Sequence, residues 1–208
     1  MHRRAALSVS VVLLLAAPLL SACSGGQPHA GTAAVVGGER ITTSALQAQV
    51  NDVRAAQNRS GQAAAELIAA TPNLERLKLG SMLQSRIIDK MADFAGLTAT
   101  TKEIEEERKA FAEGNGGAAQ FEALLLQKAA TAPGQSDRFL TDRVLLAKLN
   151  AKYGNGKLAE PAAAAAKALD IEVNPRYGAW DAAQVQLGEA QTPWITQKTR
   201  PEQAPAGA

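Results

Sequence analysis

The 208-residue sequence has one cysteine, two histidines and few aromatic residues, which make up 4% of the chain. A single cysteine excludes an internal disulfide framework and every metal site that needs several thiolates. His2 and His29 both lie near the N-terminus, so neither a Ser-His-Asp nor a Cys-His catalytic arrangement is expected. We therefore expect no enzyme, no cofactor and no metal ion.

An excess of positive charge is also missing, because 22 Lys and Arg face 20 Asp and Glu. Arg3 and Arg4 supply the whole surplus, so the chain after residue 22 is formally neutral. A protein that binds DNA or RNA carries a basic patch, and none is predicted here. No glycine-rich loop follows a predicted strand, which also argues against a nucleotide site. The length predicts one domain with extensions.

Residues 1–22 have the pattern of an export signal. An arginine pair precedes an apolar stretch over residues 5–20, which is shorter than the roughly 20 residues of a stable membrane span. Residues 20–23, Leu-Ser-Ala-Cys, resemble a bacterial lipobox, in which cleavage after Ala22 leaves Cys23 to be acylated. Two acyl chains suffice for stable anchoring. We expect a lipid anchor at Cys23 that holds the protein on the extracytoplasmic face of the cell membrane; an ordinary secretory signal is the alternative.

The rest of the sequence divides into a tether, a domain and a tail. Residues 23–32 contain three glycines and no large apolar residue, which predicts a flexible tether. Residues 33–189 carry the apolar periodicity of a single folded domain. Residues 190–208 are polar and contain several prolines, which predicts a disordered tail. Whether Trp194 of this tail docks on the domain is left open.

A short β-hairpin is predicted at the start of the domain. Residues 33–36 and 39–41 are suited to strands, and the Gly37-Gly38 pair between them suits a tight turn. Two such short strands are marginal alone and need a helix or a third strand against them. Residues 171–173 are the candidate for that third strand.

A helical pattern follows as far as residue 170. Local signals set the helix ends, such as Gly96 after the longest helix and a Thr100–Glu103 capping box before the next. The fold class predicted is therefore mainly α, with a small β-hairpin or a three-stranded sheet. The predicted helices cover about residues 43–57, 73–95, 100–113, 119–129, 136–153 and 160–169.

The longest predicted helix carries an apolar stripe that covers about half of its circumference. The stripe consists of Leu77, Leu83, Ile87, Ile88, Met91 and Phe94. Charged residues, among them Lys78, are expected mostly on the opposite side. Because the stripe is too wide for one neighbouring helix, the helix either packs in the core against two neighbours or faces a groove. In the second case, Leu77, Leu83, Ile87, Met91 and Phe94 form a candidate polypeptide-binding face.

Five stretches of the sequence follow one another in the order of a known domain. They are residues 33–46, 94–104, 121–125, 140–149 and 173–178. Together they resemble the SurA N-terminal domain, which PrsA-like foldases share, over about residues 33–181. That family usually has asparagine before the glycine of the hairpin turn, and Gly37 in its place preserves the turn.

The resemblance implies a helical, extracytoplasmic, chaperone-like domain whose partners are unfolded or newly exported polypeptides. In SurA and PrsA a parvulin prolyl-isomerase module with a histidine pair follows, and no histidine follows His29 here. We therefore expect a lipid-anchored protein that holds polypeptides without isomerase activity. The alternative is an envelope lipoprotein that uses the same fold to bind one specific protein partner. A two-lobed solute-binding lipoprotein fits less well, because the sequence has little strand signal.

Overall fold

The computed structural model describes residues 30–189, which form seven α-helices and five short β-strands. This confirms the predicted fold class. The export signal, Cys23 and the tail over residues 190–208 lie outside the described residues. No helix within residues 30–189 is both long and apolar enough to cross a membrane. In chain order the elements are β1 (Thr32–Val36), β2 (Glu39–Thr42), α1 (Thr43–Asn58), α2 (Ala64–Ala69), α3 (Leu74–Ala95), α4 (Thr101–Gly114), α5 (Ala118–Ala129), α6 (Ser136–Tyr153), α7 (Ala159–Leu169), β3 (Glu172–Val173), β4 (Trp180–Asp181) and β5 (Gln186–Leu187).

The first three strands form one antiparallel sheet in the order β2-β1-β3. Gly37 and Gly38 connect β1 to β2 with φ angles of 59° and 80°. Positive φ at both central residues matches the turn that suits a two-residue hairpin. On the other edge of β1, Ala34 lies opposite Val173. The predicted hairpin and the predicted third strand are both confirmed.

Thr32 belongs to this sheet and not to the predicted tether. Its side chain is buried, and its Oγ1 accepts a hydrogen bond of 3.0 Å from Arg40 Nε. Its backbone carbonyl accepts another, also of 3.0 Å, from Asn174 Nδ2. Both donors come from the folded domain, so the ordered strand begins one residue earlier than predicted.

Helix α3 runs through the core and contributes to its two larger clusters. Leu79 and Leu83 pack with the sheet and α1 in the first cluster. Ile87 and Met91 pack with α6 and α7 in the second. Helices α4, α5 and α6 form a third, smaller cluster around Phe121. We call these three helices the α4–α6 arm.

The last two strands, β4 and β5, form a second antiparallel hairpin, for which no strand is predicted from the sequence. We call residues 180–187 the C-terminal hairpin. Asp181 Oδ1 accepts hydrogen bonds from the backbone N–H groups of Ala183 and Gln184, at 2.9 and 3.0 Å, which closes the turn. At the base, Gly178 has a φ of 144°, and a Cβ there would collide with the carbonyl oxygen of Gly188.

Replacing Gly178 by alanine should therefore weaken the fold. A side chain forced into that backbone region costs about 1–3 kcal/mol, and the collision adds to this, so we expect the free energy of unfolding to fall by at least about 2 kcal/mol. Gly80→Ala is the matched control, because a Cβ there meets nothing within 4 Å. In mid-helix it should raise stability by about 0.5–1 kcal/mol. Urea unfolding measures both, and an unchanged midpoint for Gly178→Ala would contradict the close backbone approach.

Candidate functional site

The structure corrects the predicted binding face by dividing its five residues into two groups. Leu83, Ile87 and Met91 are almost completely buried in the core, although Met91 also lines a cavity beside Phe94. Leu77 and Phe94 are exposed, with 48% and 56% of their surface accessible. These two lie near opposite ends of α3, about 25 Å apart along the helix axis. The exposed residues therefore do not form one continuous face.

A different side of α3 is accessible along its length. Leu77, Ser81, Gln84 and Ile88 are separated by four, three and four residues, so they lie along one side of the helix. We call these four residues the α3 ridge. Leu77, Ser81 and Gln84 line two grooves, one on each side of the ridge.

The first groove lies between α3 and the C-terminal hairpin and has a volume of about 400 Å³. We call it the hairpin groove. Gly80 and Ser81 form its floor, and because both are small, space remains above the helix backbone. The apolar walls are Leu77 of α3 and three residues of the hairpin, Trp180, Val185 and Leu187.

The second groove lies between α3 and the α4–α6 arm and has a volume of about 460 Å³. We call it the arm groove. Its lining is more apolar than polar and includes side chains from both α3 and α6. The large apolar residues that line it are Leu77, Met82, Ile88, Phe139 and Leu146.

A network of charged residues forms the polar wall of the arm groove. Arg138 Nη2 donates a hydrogen bond of 2.9 Å to Asp89 Oδ1 and a second one to Asp142. Burial acts to lower the pKa of Arg138, but the two carboxylates raise it overall. Burial raises the pKa of Asp142 against the opposing effects of Ser85 and Arg138. The charges are satisfied by one another and leave no unpaired cation to attract an anion.

Ser85, in the same network, is not arranged as a nucleophile. Its Oγ donates a hydrogen bond of 2.5 Å to Asp142 Oδ2. The histidines at positions 2 and 29 lie outside the described residues. Within residues 30–189, no imidazole is therefore available to accept the Ser85 proton.

Lys78 lies in the interior beside the arm groove and is only 5% exposed. The sequence pattern predicts it on the charged side of α3, and this prediction is wrong. Its Nζ donates a hydrogen bond of 2.7 Å to Gln135 Oε1, and Gln135 Nε2 donates one of 3.0 Å to the carbonyl of Gln49. Burial lowers the pKa of Lys78, opposed by the charge of Asp52. This chain of contacts joins α3 to α1 and to the turn before α6 at the edge of the arm groove.

Phe94 lies on a separate surface at the end of α3. With Met91, Tyr153 and Pro161 it lines a third cavity of about 420 Å³. The Nζ atom of Lys90 lies 5.0 Å from the Phe94 ring centroid, within the range of a cation–π contact. This patch shares no lining residue with the two grooves beside the ridge.

The geometry defines a class of protein: a mainly helical domain with open, apolar-walled grooves. Within residues 30–189, no three His, Cys, Asp or Glu residues come close enough together to hold a metal ion. The profile of the family described as SurA-like N-terminal domain matches residues 2–149. The chain therefore belongs to the SurA-like N-terminal domain family, whose domains are of the chaperone type and not catalytic. No curated protein and no solved structure matches the chain significantly.

The family match ends inside α6, at residue 149. The ridge and the arm groove lie within the matched range. The hairpin groove combines α3 with the C-terminal hairpin, which lies after it. Four of the thirteen residues that line the hairpin groove therefore lie outside the family match.

Lys78→Met tests the buried cation by its effect on pH dependence. The pKa of Lys78 is lower in the folded protein than its ordinary value of 10.5, so the unfolded chain binds more protons between the two values. The free energy of unfolding of the unaltered protein should therefore rise with pH in that interval, by at most about 1.4 kcal/mol per pH unit. Lys78→Met should remove this rise. Urea unfolding from pH 7 upward measures it, and equal slopes for the two proteins would contradict the buried charge.

Proposed function

We propose that the chain is a membrane-anchored bacterial lipoprotein whose extracytoplasmic domain holds exported or unfolded polypeptides without isomerase activity. Membership of a family of chaperone-type domains supports the general role. The observation that carries polypeptide binding is the α3 ridge, which has an open groove with apolar walls on each side. The proposed anchor rests on the lipobox-like residues 20–23.

The dimensions of the grooves suit single apolar side chains of an extended polypeptide. Each groove has the volume of a small-ligand site, about 300–1,000 Å³, but both are open to solvent along their length. An unfolded polypeptide exposes apolar side chains separated by polar backbone. The walls offer apolar contact at Leu77, and Ser81 and Gln84 supply polar groups beside it. Such shallow contacts bind weakly and exchange readily, because few interactions exceed the cost of ordering the segment.

The charges around the arm groove favour broad selection. Asp89 and Asp142 both pair with Arg138, and Arg143 Nε donates a hydrogen bond of 3.0 Å to Glu107 on α4. Together with the buried Lys78, these residues place three cations and three carboxylates around the groove. Paired charges of this kind present no strong field of one sign. A bound polypeptide would therefore be selected by its apolar residues and not by its charge.

Leu77→Glu should weaken polypeptide binding, because it places a charge where both grooves meet. We expect at least a fivefold loss of affinity for reduced, carboxymethylated α-lactalbumin, which corresponds to about 1 kcal/mol. Phe94→Glu is the matched control, since it adds the same charge at a similarly exposed position of the same helix. Fluorescence anisotropy gives the affinities, and light scattering of heated citrate synthase gives the suppression of aggregation.

Two results would overturn this assignment. Equal losses in Leu77→Glu and Phe94→Glu would mean that the ridge is not the binding site. If the unaltered protein at micromolar concentration binds no unfolded polypeptide, while a pull-down gives one stoichiometric partner, the domain is an interaction module for that partner.

The proposed anchor is tested at Cys23. Acyl chains bind a membrane stably when two are present, and removal of the thiol removes their attachment point. Cys23→Ser should therefore shift nearly all of the protein out of the mature, membrane-bound form. Mass spectrometry of the native protein should find residues 1–22 removed and Cys23 acylated. An intact leader or a free thiol at Cys23 would contradict the anchor.

A further inference from the structure

The hairpin groove lies where the described part of the chain ends. Leu187 forms part of the groove wall, and the chain reaches its last described residue, Glu189, two positions later. The Glu189 carboxylate lies 3.6 Å from the guanidinium of Arg76, which lines the same groove. The nineteen residues that follow Glu189 therefore begin at the rim of the groove.

Those nineteen residues contain only two large apolar side chains, and the two are adjacent. They are Trp194 and Ile195. Trp194 is five residues beyond Glu189, and five residues of extended chain span about 17 Å. The part of the ridge beside the groove, from Leu77 to Gln84, rises about 10 Å along the helix. Trp194 therefore reaches any point along the groove.

The groove has room for these side chains and the chemistry to hold them. A Cβ placed on Gly80 meets nothing within 4 Å, so the floor is open space. Tryptophan combines a large apolar surface with one N–H donor, and the groove offers apolar walls with polar groups such as Gln84 at the edge. Pro193 fixes one backbone angle of the segment, which reduces the entropy lost when the segment is ordered.

We propose that residues 193–195 dock in the hairpin groove, with Trp194 over Gly80, and that the docked segment competes with client polypeptides. The docking rests on the shape of the groove and on the position of Glu189, the last described residue, at its rim. The competition rests in addition on the proposed function. This assignment replaces the expectation of a disordered tail, at least for the residues around Trp194.

Docking is measured in the full-length chain, purified in detergent, as the difference in emission between the unaltered protein and Trp194→Phe, which keeps Trp180 in the groove wall and reports on Trp194. Its emission should be blue-shifted and protected from acrylamide, relative to a free peptide of residues 190–208. Gly80→Leu fills the groove floor while improving the helix propensity of α3, and this variant should lose the protection. Gly114→Leu, the matched control at the end of α4, should keep it, because a Cβ there also meets nothing within 4 Å.

Two outcomes of this measurement would overturn intramolecular docking. One is a Trp194 that is as accessible to acrylamide as the free peptide when the groove is unaltered. The other is protection that disappears on dilution, which would assign the groove to the tail of a second copy.

Competition is measured with carboxymethylated α-lactalbumin. If the tail occupies the groove nine-tenths of the time, a chain ending at Glu189 binds this client about tenfold more tightly than the full-length chain. Trp194→Ser in the full-length chain should give the same gain. If the shortened and the full-length chain bind the client equally tightly while Trp194 is protected from acrylamide, the tail does not compete with the client. Absence of client binding by every variant would overturn the proposed function, whereas the fluorescence result would still decide whether the tail docks.

Discussion

The structure depends on the burial of one side of α3, a helix of 22 residues. Leu79, Leu83, Ile87 and Met91 follow at intervals of four residues, and each is almost completely buried. Burial of one such side chain contributes about 1.5–3 kcal/mol, so four contribute about 6–12 kcal/mol. That sum is comparable to the whole net stability of a domain, about 5–15 kcal/mol. Because the sheet, α1, α6 and α7 pack on this row, none of them moves away without exposing it.

The grooves follow from how the elements beside α3 are held in place. On the arm side, the contact of Lys78 with Gln135 fixes the turn before α6 against α3 and α1. On the other side, the close approach of Gly178 and Gly188 fixes the base of the C-terminal hairpin. Leu77 lines both grooves and remains exposed between their walls. The proposed binding surface is thus already open in the folded domain.

Local sequence signals predict most of the helices and the first hairpin. Contacts between residues far apart in the sequence determine the features that the sequence does not predict. The Gly37-Gly38 turn and the capping box of Thr100 depend only on residues a few positions apart, so the sequence identifies them directly. Thr32 and Lys78 are different, because their partners lie more than a hundred and more than fifty positions away respectively. The periodicity of α3 likewise reveals a broad apolar surface but not which part of it the other elements cover. For this reason Leu77 is the only member of the ridge that the predicted binding face contains.

Because the tail is covalently attached to the domain, its proposed contact with the hairpin groove requires only a weak intrinsic affinity. A segment joined by a few residues has an effective concentration in the millimolar range, so under the proposal a weak intrinsic affinity of Trp194 suffices for it to occupy the groove. A client polypeptide at micromolar concentration must then bind more tightly than the tail does. The tail offers one adjacent pair of apolar side chains, which fills only the hairpin groove. A client with apolar residues spaced along an extended segment contacts both grooves across Leu77 and gains affinity from each. The tail would therefore exclude proteins that expose a single apolar residue and admit those that expose several, which is the difference between a folded protein and an unfolded one.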